Sequence, residues 1–473
     1  MRSVAAVVFY LISLSVFAQT PVSGNQSGTW YLTGSTYQVT GDVTVPAGET
    51  LTIEAGVEVE FQGNYKLTVN GNLQAIGTET DTILFTAIDA ATGWHGIRLT
   101  EQQNGSTFIF CRFENGKTVA GTFPDQNGGA IMLNNCDAYF ENCLFVNNEA
   151  VADDTGMGGA IYALNPSEET QIPHCSFINN YAYGEGGAIK FSGDTGAHIE
   201  WCVFENNTVL YGGGAICLYG CYDTRITNSL FYNNTTTYSS GGAVFIEGYS
   251  SLIRFVNSTM YGNNATGGDG GAVDIAFSDA SFTNSIIYNN QGAYSDNIYL
   301  DFGYAEINYC NTPFPDGAEG NNNINTDALF VDAASGDFHL TPQSPCIDAG
   351  IDSLTITTAF DEIITVVDMD SSEYYGPAPD MGCYEFDPTT AIPKTPFINM
   401  MVYPNPTTGI INIKNEEHEN VNISVVDFNG KTLVNKSGTP VQNRVDLSAL
   451  QNGVYLIKIK TPNNTICKKI IKE

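Results

Sequence analysis

The tetrapeptide Gly-Gly-Ala-Ile/Val recurs six times, with its alanine at Ala130, Ala160, Ala188, Ala215, Ala243 and Ala272, at spacings of 30, 28, 27, 28 and 29 residues. A fixed period of this size specifies a solenoid, in which each repeat forms one rung and stacked rungs bury a continuous core. Between the alanines lie Phe145-Val146-Asn147-Asn148, Phe177-Ile178-Asn179-Asn180, Phe204-Glu205-Asn206-Asn207 and Phe231-Tyr232-Asn233-Asn234, then the variants Met260-Tyr261-Gly262-Asn263 and Ile287-Tyr288-Asn289-Asn290. The runs around each motif are short, rich in β-branched and aromatic residues, and bounded by Gly and Asn. They read as strands rather than helices. One period then supplies two or three strands with their turns, a single coil of a parallel β-helix rising by about 4.8 Å.

Stacking places like residues above like. Phe145, Phe177, Phe204 and Phe231 are expected to form an inward aromatic ladder. Asn148, Asn180, Asn207, Asn234, Asn263 and Asn290 are expected to form an amide ladder at a turn, each bonding the next and tolerating a left-handed backbone. The Gly-Gly pair is expected to supply positive φ and close backbone approach at another corner. Cys111, Cys143, Cys175 and Cys202, continued by Ser229, Ser258 and Ser285, form a third column. Adjacent thiols would lie about 5 Å apart, but with parallel Cβ vectors that suit a bridge poorly, so stacked free thiols are expected. Since no histidine stacks with them, a metal ladder is disfavoured.

The chain has 473 residues and 11 cysteines, an odd number that leaves at least one unpaired within the chain. Cys346 and Cys383 lie in turn-rich sequence outside the repeat and are the best disulfide candidates. Residues 1–18 carry Arg2, an apolar run from Val4 to Phe17, and Val16-Phe17-Ala18. They read as a signal peptide. The run is too short to span a bilayer, and no later stretch is long enough, so no transmembrane segment is expected. Charge is divided unevenly. Residues 397–473 carry 9 Lys+Arg and 6 Asp+Glu, whereas the remainder carries 9 basic and 45 acidic groups, net −36. Such a surface repels nucleic acid and excludes it as a partner.

The order of segments follows. Residues 19–386 form the β-helix: an N-terminal cap over 19–45, early rungs over 46–115, the regular repeat over 116–310 and a closing segment over 311–386. Residues 387–396 are a Pro/Thr-rich linker. Residues 397–473 are a separate module with strands at Ile410–Lys414, Val421–Phe428, Arg444–Leu447 and Val454–Lys460. With turns such as Asn429-Gly430 and Asn452-Gly453, they fit a small Ig-like β-sandwich. The fold class expected is all-β, a right-handed parallel β-helix followed by that sandwich.

Three resemblances attach to particular residues. Val402-Tyr403-Pro404-Asn405-Pro406-Thr407-Thr408-Gly409, Val425-Val426-Asp427-Phe428-Asn429-Gly430-Lys431 and Leu447-Ser448-Ala449-Leu450-Gln451-Asn452-Gly453-Val454-Tyr455 resemble the sorting domain of type IX secretion in Bacteroidetes. That resemblance implies the type IX secretion machinery as a partner, and a location outside the cell or on the outer-membrane exterior. Gly-Gly-Ala-Ile alternating with Phe-x-x-Asn resembles the repeats of polymorphic outer-membrane proteins, a family of adhesins, although this chain lacks that family's C-terminal membrane barrel. Gly41-Asp42-Val43-Thr44-Val45-Pro46-Ala47-Gly48, Ser344-Pro345-Cys346-Ile347-Asp348-Ala349-Gly350 and Asp380-Met381-Gly382-Cys383-Tyr384-Glu385-Phe386 resemble the first rung and closing segment of the pectin-lyase-like superfamily. The last resemblance supports a Cys346–Cys383 bridge. It also implies either an enzyme on polysaccharides or a non-catalytic relative.

Catalytic signatures are weak. Asn325-Thr326-Asp327 resembles the first element of a polygalacturonase, but no Asp-Asp or Gly-His-Gly follows, and the segment reads as a closing turn. Arg225 and Arg254 fall in successive rungs near Asp223 and Asp274, where a lyase would need cations and carboxylates. A surface pair between Arg254 and Asp274 is the simpler expectation. His95, His174, His198 and His339 show no ligand spacing. Asp368, Asp370 and Glu373 resemble half of a Ca²⁺ loop and could hold a structural Ca²⁺; no other cofactor is expected. Tyr181, Tyr183, Tyr211, Tyr238, Tyr249 and Tyr294 fall in or near turns, where rings pack or bind sugars. Specificity is expected in the turns at Val151–Met157, Asn165–Gln171 and Tyr219–Asp223. The function expected is non-catalytic adhesion, or binding of an extracellular glycan or a host or neighbouring-cell surface protein. The alternative is a polysaccharide lyase or glycoside hydrolase.

Overall fold

The computed structural model describes residues 19–472 except 101–104, 167–169, 194–195, 294, 358–362, 389–400, 404–406, 415–420, 427–431, 439–442, 452 and 461–464. The expected signal peptide, most of the linker, Tyr294 and the Asn429-Gly430 turn lie outside these residues. The chain divides into two units, Met1–Phe386 and Asp387–Glu473.

The first unit is a parallel β-helix, and its connections between parallel strands take the right-handed course that strand twist imposes. Four stacks of parallel strands wind along the coil, one of them made only of the two-residue strands Lys117–Thr118, Glu149–Ala150, Tyr181–Ala182, Thr208–Val209, Thr235–Thr236 and Asn264–Ala265. The Gly-Gly-Ala motif opens the first stack, which runs Ile97–Thr100, Ile131–Asn134, Ile161–Leu164, Ile189–Ser192, Ile216–Tyr219, Val244–Glu247, Val273–Ala276 and Ile298–Asp301. We call this the Gly-Gly-Ala face. A second stack runs from Gly28–Trp30 to Tyr304–Asn308. A third carries the Phe-x-x-Asn motifs. It joins the first through Tyr37–Val45, which pairs with both. The N-terminal segment is already a rung rather than a separate cap, because Thr20–Asn25 pairs in parallel with Tyr37–Val45.

The ladders explain the repeat. Phe113, Phe145, Phe177, Phe204 and Phe231 stack at 4.6–4.8 Å with nearly parallel rings. Asn148, Asn180, Asn207, Asn234, Asn263 and Asn290 are buried, and each Nδ2 donates to the Oδ1 of the next at 2.9–3.0 Å. Left-handed backbone falls one residue earlier than expected, on Asn147, Asn179, Asn206, Asn233, Gly262 and Asn289. The paired asparagines therefore divide the work. The first turns the chain, and the second satisfies buried donors and acceptors.

The two glycines divide in the same way. Gly186 takes φ 67°, while a Cβ on Gly187 would lie 2.1 Å from the Gly214 carbonyl oxygen of the next rung. The thiol column is stacked and unbridged as expected, and its backbone N–H groups donate along the column, as from Cys202 to Ser229 Oγ at 3.1 Å.

The coil ends where the period ends. Residues 311–386 form two antiparallel hairpins, Phe330–Asp332 with Asp337–Leu340 and Ser353–Thr357 with Ile363–Asp368, and double back along the rungs. There Gly382 N–H donates to the Asn284 carbonyl, and Cys383 N–H donates to Thr259 Oγ1. The expected Cys346–Cys383 bridge is not formed. Cys346 packs with Ile286, Ala328, Leu340 and Met381, whereas Cys383 packs with Leu230 and Phe338, so apolar burial separates the two thiols.

The second unit pairs Met401–Tyr403, Ile410–Lys414 and Asn443–Asp446 in one antiparallel sheet. Val421–Val426, Thr432–Gly438, Gly453–Lys460 and Thr465–Lys472 form another. Ile411, Ile423, Val425, Val445, Leu447, Ile457, Ile459 and Ile470 fill its core.

Candidate functional site

Strand alternation decides what the Gly-Gly-Ala face presents. Ile131 and Leu133 point into the core, so Met132 between them points outward. The same register position carries, rung by rung, Arg98, Met132, Tyr162, Lys190, Cys217, Phe245, Asp274 and Tyr299. Most of these side chains are nonetheless buried, because the segments preceding each Gly-Gly pair fold over them.

Lys190 lies at the centre. Its Nζ is 2.5 Å from Glu185 Oε2, 3.1 Å from Cys217 Sγ and 3.4 Å from Glu247 Oε1, and it sits 5.1 Å from the centre of the Tyr219 ring. Burial alone would pull the ammonium down. The Cys217 sulfur and the two carboxylates outweigh that pull and hold it charged, well above its ordinary range. Burial also pushes Tyr162 up to about 12. The ligand atoms of Glu185, Cys217 and Glu247 lie within 4.8 Å of one another, a spacing that suits a metal. The Lys190 ammonium fills that space, so the residues present do not fit one.

At the N-terminal end of the stripe, Asp125 accepts from Arg98 Nε at 3.0 Å and Lys66 Nζ at 2.9 Å, with His95 Nε2 at 3.4 Å. Burial would raise the Asp125 carboxyl. His95, Arg98 and Lys66 instead hold it well below the usual range. Toward the C-terminal end Asp274 is 3% exposed, and its carboxyl is pushed up to about 7, first by burial and then by Asp301, Asp269 and Glu247 against the help of Ser240.

Aromatic rings border this stripe on both sides. Tyr183, Tyr211 and Tyr238 follow one another at 6.2 and 6.1 Å along one border. Along the other, Tyr249, Phe277 and Phe302 follow at 6.4 and 5.3 Å, with exposures of 82%, 52% and 83%. Their φ values are 62°, 50° and 54°. Bulky residues rarely adopt this region, and exposed rings gain nothing from burial. On the rungs before Phe277 this corner, five residues after the motif alanine, is filled by Asn135, Asn165, Gly193, Gly220 and Gly248, where the left-handed turn is cheap, and Tyr249 directly follows Gly248.

Several sequence expectations change place. Arg254 does not pair with Asp274. It lies on the second stack opposite Arg225, and both are tied to Asp223, while Asp274 faces outward from another stack. Asn325-Thr326-Asp327 is a closing turn, with Thr326 N–H donating to Asn311 Oδ1 and Leu329 N–H to Asp327 Oδ1. Asp370 Oδ1 accepts from Ser372 N–H and Glu373 Oε1 from Asp370 N–H, so both carboxylates cap a turn after Asp368. His174 stacks on Trp201 at a corner, and His339, within the strand Asp337–Leu340, stacks on Tyr384. Sequence reasoning missed Lys190, Glu185, Cys217 and Glu247 as a cluster, and Phe277 and Phe302 as a row. The shared offset of Lys190 and Cys217 from their motif alanines, and the place of Phe277 five residues after Ala272, are the signals that could have found them.

Comparison with known proteins agrees with the two units. Residues 401–473 match the family model described as the secretion system C-terminal sorting domain. Residues 159–313 match the right handed beta helix region, and residues 142–164 the Chlamydia polymorphic membrane protein repeat. Among solved structures, the alginate lyase from Paenibacillus sp. str. FPU-7 is similar over 55% of this chain and 93% of that chain, at 15% identity and a TM-score of 0.23. No curated protein matches. The chain is an exported right-handed β-helix protein carrying a type IX secretion sorting domain, which directs it to the cell surface. Among the described residues no helix is long and apolar enough to cross a membrane.

Proposed function

We propose that this protein binds an extended glycan along its Gly-Gly-Ala face at the cell surface, without cleaving it. The observation that carries this reading is the row Tyr249–Phe277–Phe302. Three exposed rings in successive rungs, held in a backbone conformation that Asn or Gly adopts more cheaply, form a platform with one ring per rung. Sugar faces stack on such rings, and a repeating polymer matches a repeating surface. The Tyr183–Tyr211–Tyr238 row gives the opposite border of the same track. Lys190 is held charged by its carboxylates and cannot serve as a proton-abstracting base, which speaks against a lysine-based lyase.

A second reading, a hydrolase or lyase on polysaccharides, draws on Asp274, whose carboxyl near neutrality could exchange a proton beside Asp301 and Asp269. A glycan panel assayed for both binding and cleavage separates the two. Retention without new chain ends supports binding, and turnover supports the enzyme.

A structural Ca²⁺ at residues 368–373 would have to use Asp368 and the second oxygens of Asp370 and Glu373. Chelation that lowers Tm would place it there.

A further inference from the structure

The Lys190 cluster shows how this face accommodates an ammonium group: carboxylates on two sides and a ring beneath. Three rungs further on, part of this arrangement recurs. Asp269 precedes its Gly-Gly pair as Glu185 does, and Asp301, on the rung after Asp274, takes the place that Tyr219 holds on the rung after Lys190. The position of Lys190, however, is taken by Asp274. One carboxylate keeps its place, a second stands where the ring lay, and the chain's own cation is gone.

Asp274 is nearly fully buried, and its Oδ1 has no hydrogen-bond partner. Tyr299, on the next rung, faces the same three carboxylates. Its phenol is pushed up first by desolvation, then by Asp269, Asp301 and Asp274. No Lys or Arg occurs anywhere between Arg254 and Lys394, so this stretch of the chain carries no permanently charged cation of its own. Phe277 and Phe302 lie on the adjoining border. Buried carboxylate oxygen without a donor is costly, and a ligand that brings the missing donors gains that energy on binding.

We infer that these last rungs take an organic ammonium group, carried by an amino sugar of the bound glycan, between Asp269, Asp274 and Asp301. The inference rests on the glycan-binding reading above and names the substrate class for it. An ammonium fits better than a bare metal ion. Among the described residues, only Glu185, Cys217 and Glu247 bring ligand atoms within 4.8 Å of one another, and these aspartates stand wider apart.

The test is isothermal titration of the full chain with a glucosamine hexamer, its N-acetylated counterpart, a uronate hexamer, a lysine hexamer and CaCl2 alone. The glucosamine hexamer is expected to bind about tenfold or more tighter than the N-acetylated form, and more weakly as salt rises. Asp274→Asn and Asp301→Asn are each expected to erase most of that preference. Phe277→Ala combined with Phe302→Ala is expected to weaken both sugars alike. Circular dichroism establishes that each variant is folded.

Equal affinity for the two hexamers, tighter binding of the uronate, or Ca²⁺ binding that Asp274→Asn abolishes overturns the inference and leaves the glycan reading standing. Binding of the lysine hexamer with no sugar bound overturns both and makes the partner a basic protein. No binding of any hexamer overturns both as well.

Discussion

Asn180 Nδ2 donates to Asn207 Oδ1 at 2.9 Å, while Asn180 Oδ1 accepts from Asn148 Nδ2 at 3.0 Å. Both amides are fully out of water, so each rung is tied to the next by side chains as well as by the sheet. Asn180→Ala leaves Asn148 and Asn207 short of partners in a dry site. We expect a loss of about 2–4 kcal/mol in urea unfolding, more than a surface Asn→Ala produces.

Two glycines thirty-three residues apart separate close approach from backbone conformation. A Cβ on Gly187 would meet the Gly214 carbonyl at 2.1 Å, whereas at Gly220 (φ 62°) the nearest atom would be 3.6 Å away. Gly220→Ala should therefore cost only about 1–2 kcal/mol for its left-handed turn. Gly187→Ala should cost more than about 3 kcal/mol, because backbone of the next rung must move. Thermal denaturation of the two variants orders them directly.

Stability should fall as pH rises through the weakly acidic range. Asp274 and Glu385 are raised to about 7 from ordinary values of 3.8 and 4.5, both mainly by burial. Between those limits the folded chain keeps protons that the unfolded chain has released, so stability is greatest at the acid side and declines until pH 7 is passed. Asp125 acts in the opposite sense. Its contribution is present above the unfolded value of 3.8 and is lost as pH falls through its lowered folded value. Asp274→Asn should therefore stabilise by about 1–3 kcal/mol at pH 8 and change little near pH 4.5. Tm measured at both pH values checks this.

Lys190→Met removes the ammonium between Glu185 and Glu247. Two carboxylates then face each other in a poorly hydrated site, and we expect a loss of about 3–5 kcal/mol. Adding Glu185→Gln and Glu247→Gln should restore most of it, since no charge is left stranded. Urea denaturation of the single and triple variants measures the difference.

The solenoid was legible because its signals are backbone requirements. Only Gly allows the approach at Gly187, and Asn serves both the turn at Asn179 and the ladder at Asn180, so the motifs recur wherever the geometry does. The face was not legible by the same means. Lys190, Cys217 and Asp274 share no chemistry, and only the parallel register brings them to one column. Arg254 and Asp274 looked like neighbours by spacing, but they belong to different stacks. Cys346 and Cys383 looked paired by their turn-rich setting, yet each is buried in its own apolar cluster. Phe277 and Phe302 were readable in principle, as aromatics at a corner where earlier rungs place Asn or Gly.

The central claim is glycan binding without cleavage on the Tyr249–Phe277–Phe302 track, and one paired assay addresses it. Wild type and the Phe277→Ala, Phe302→Ala double variant are titrated with a panel of extended glycans, and the same mixtures are analysed for new chain ends. We predict that wild type binds at least one glycan and releases no product, and that the double variant, still folded, binds about tenfold or more weakly. Product release by wild type, or undiminished binding by the variant, would contradict the account.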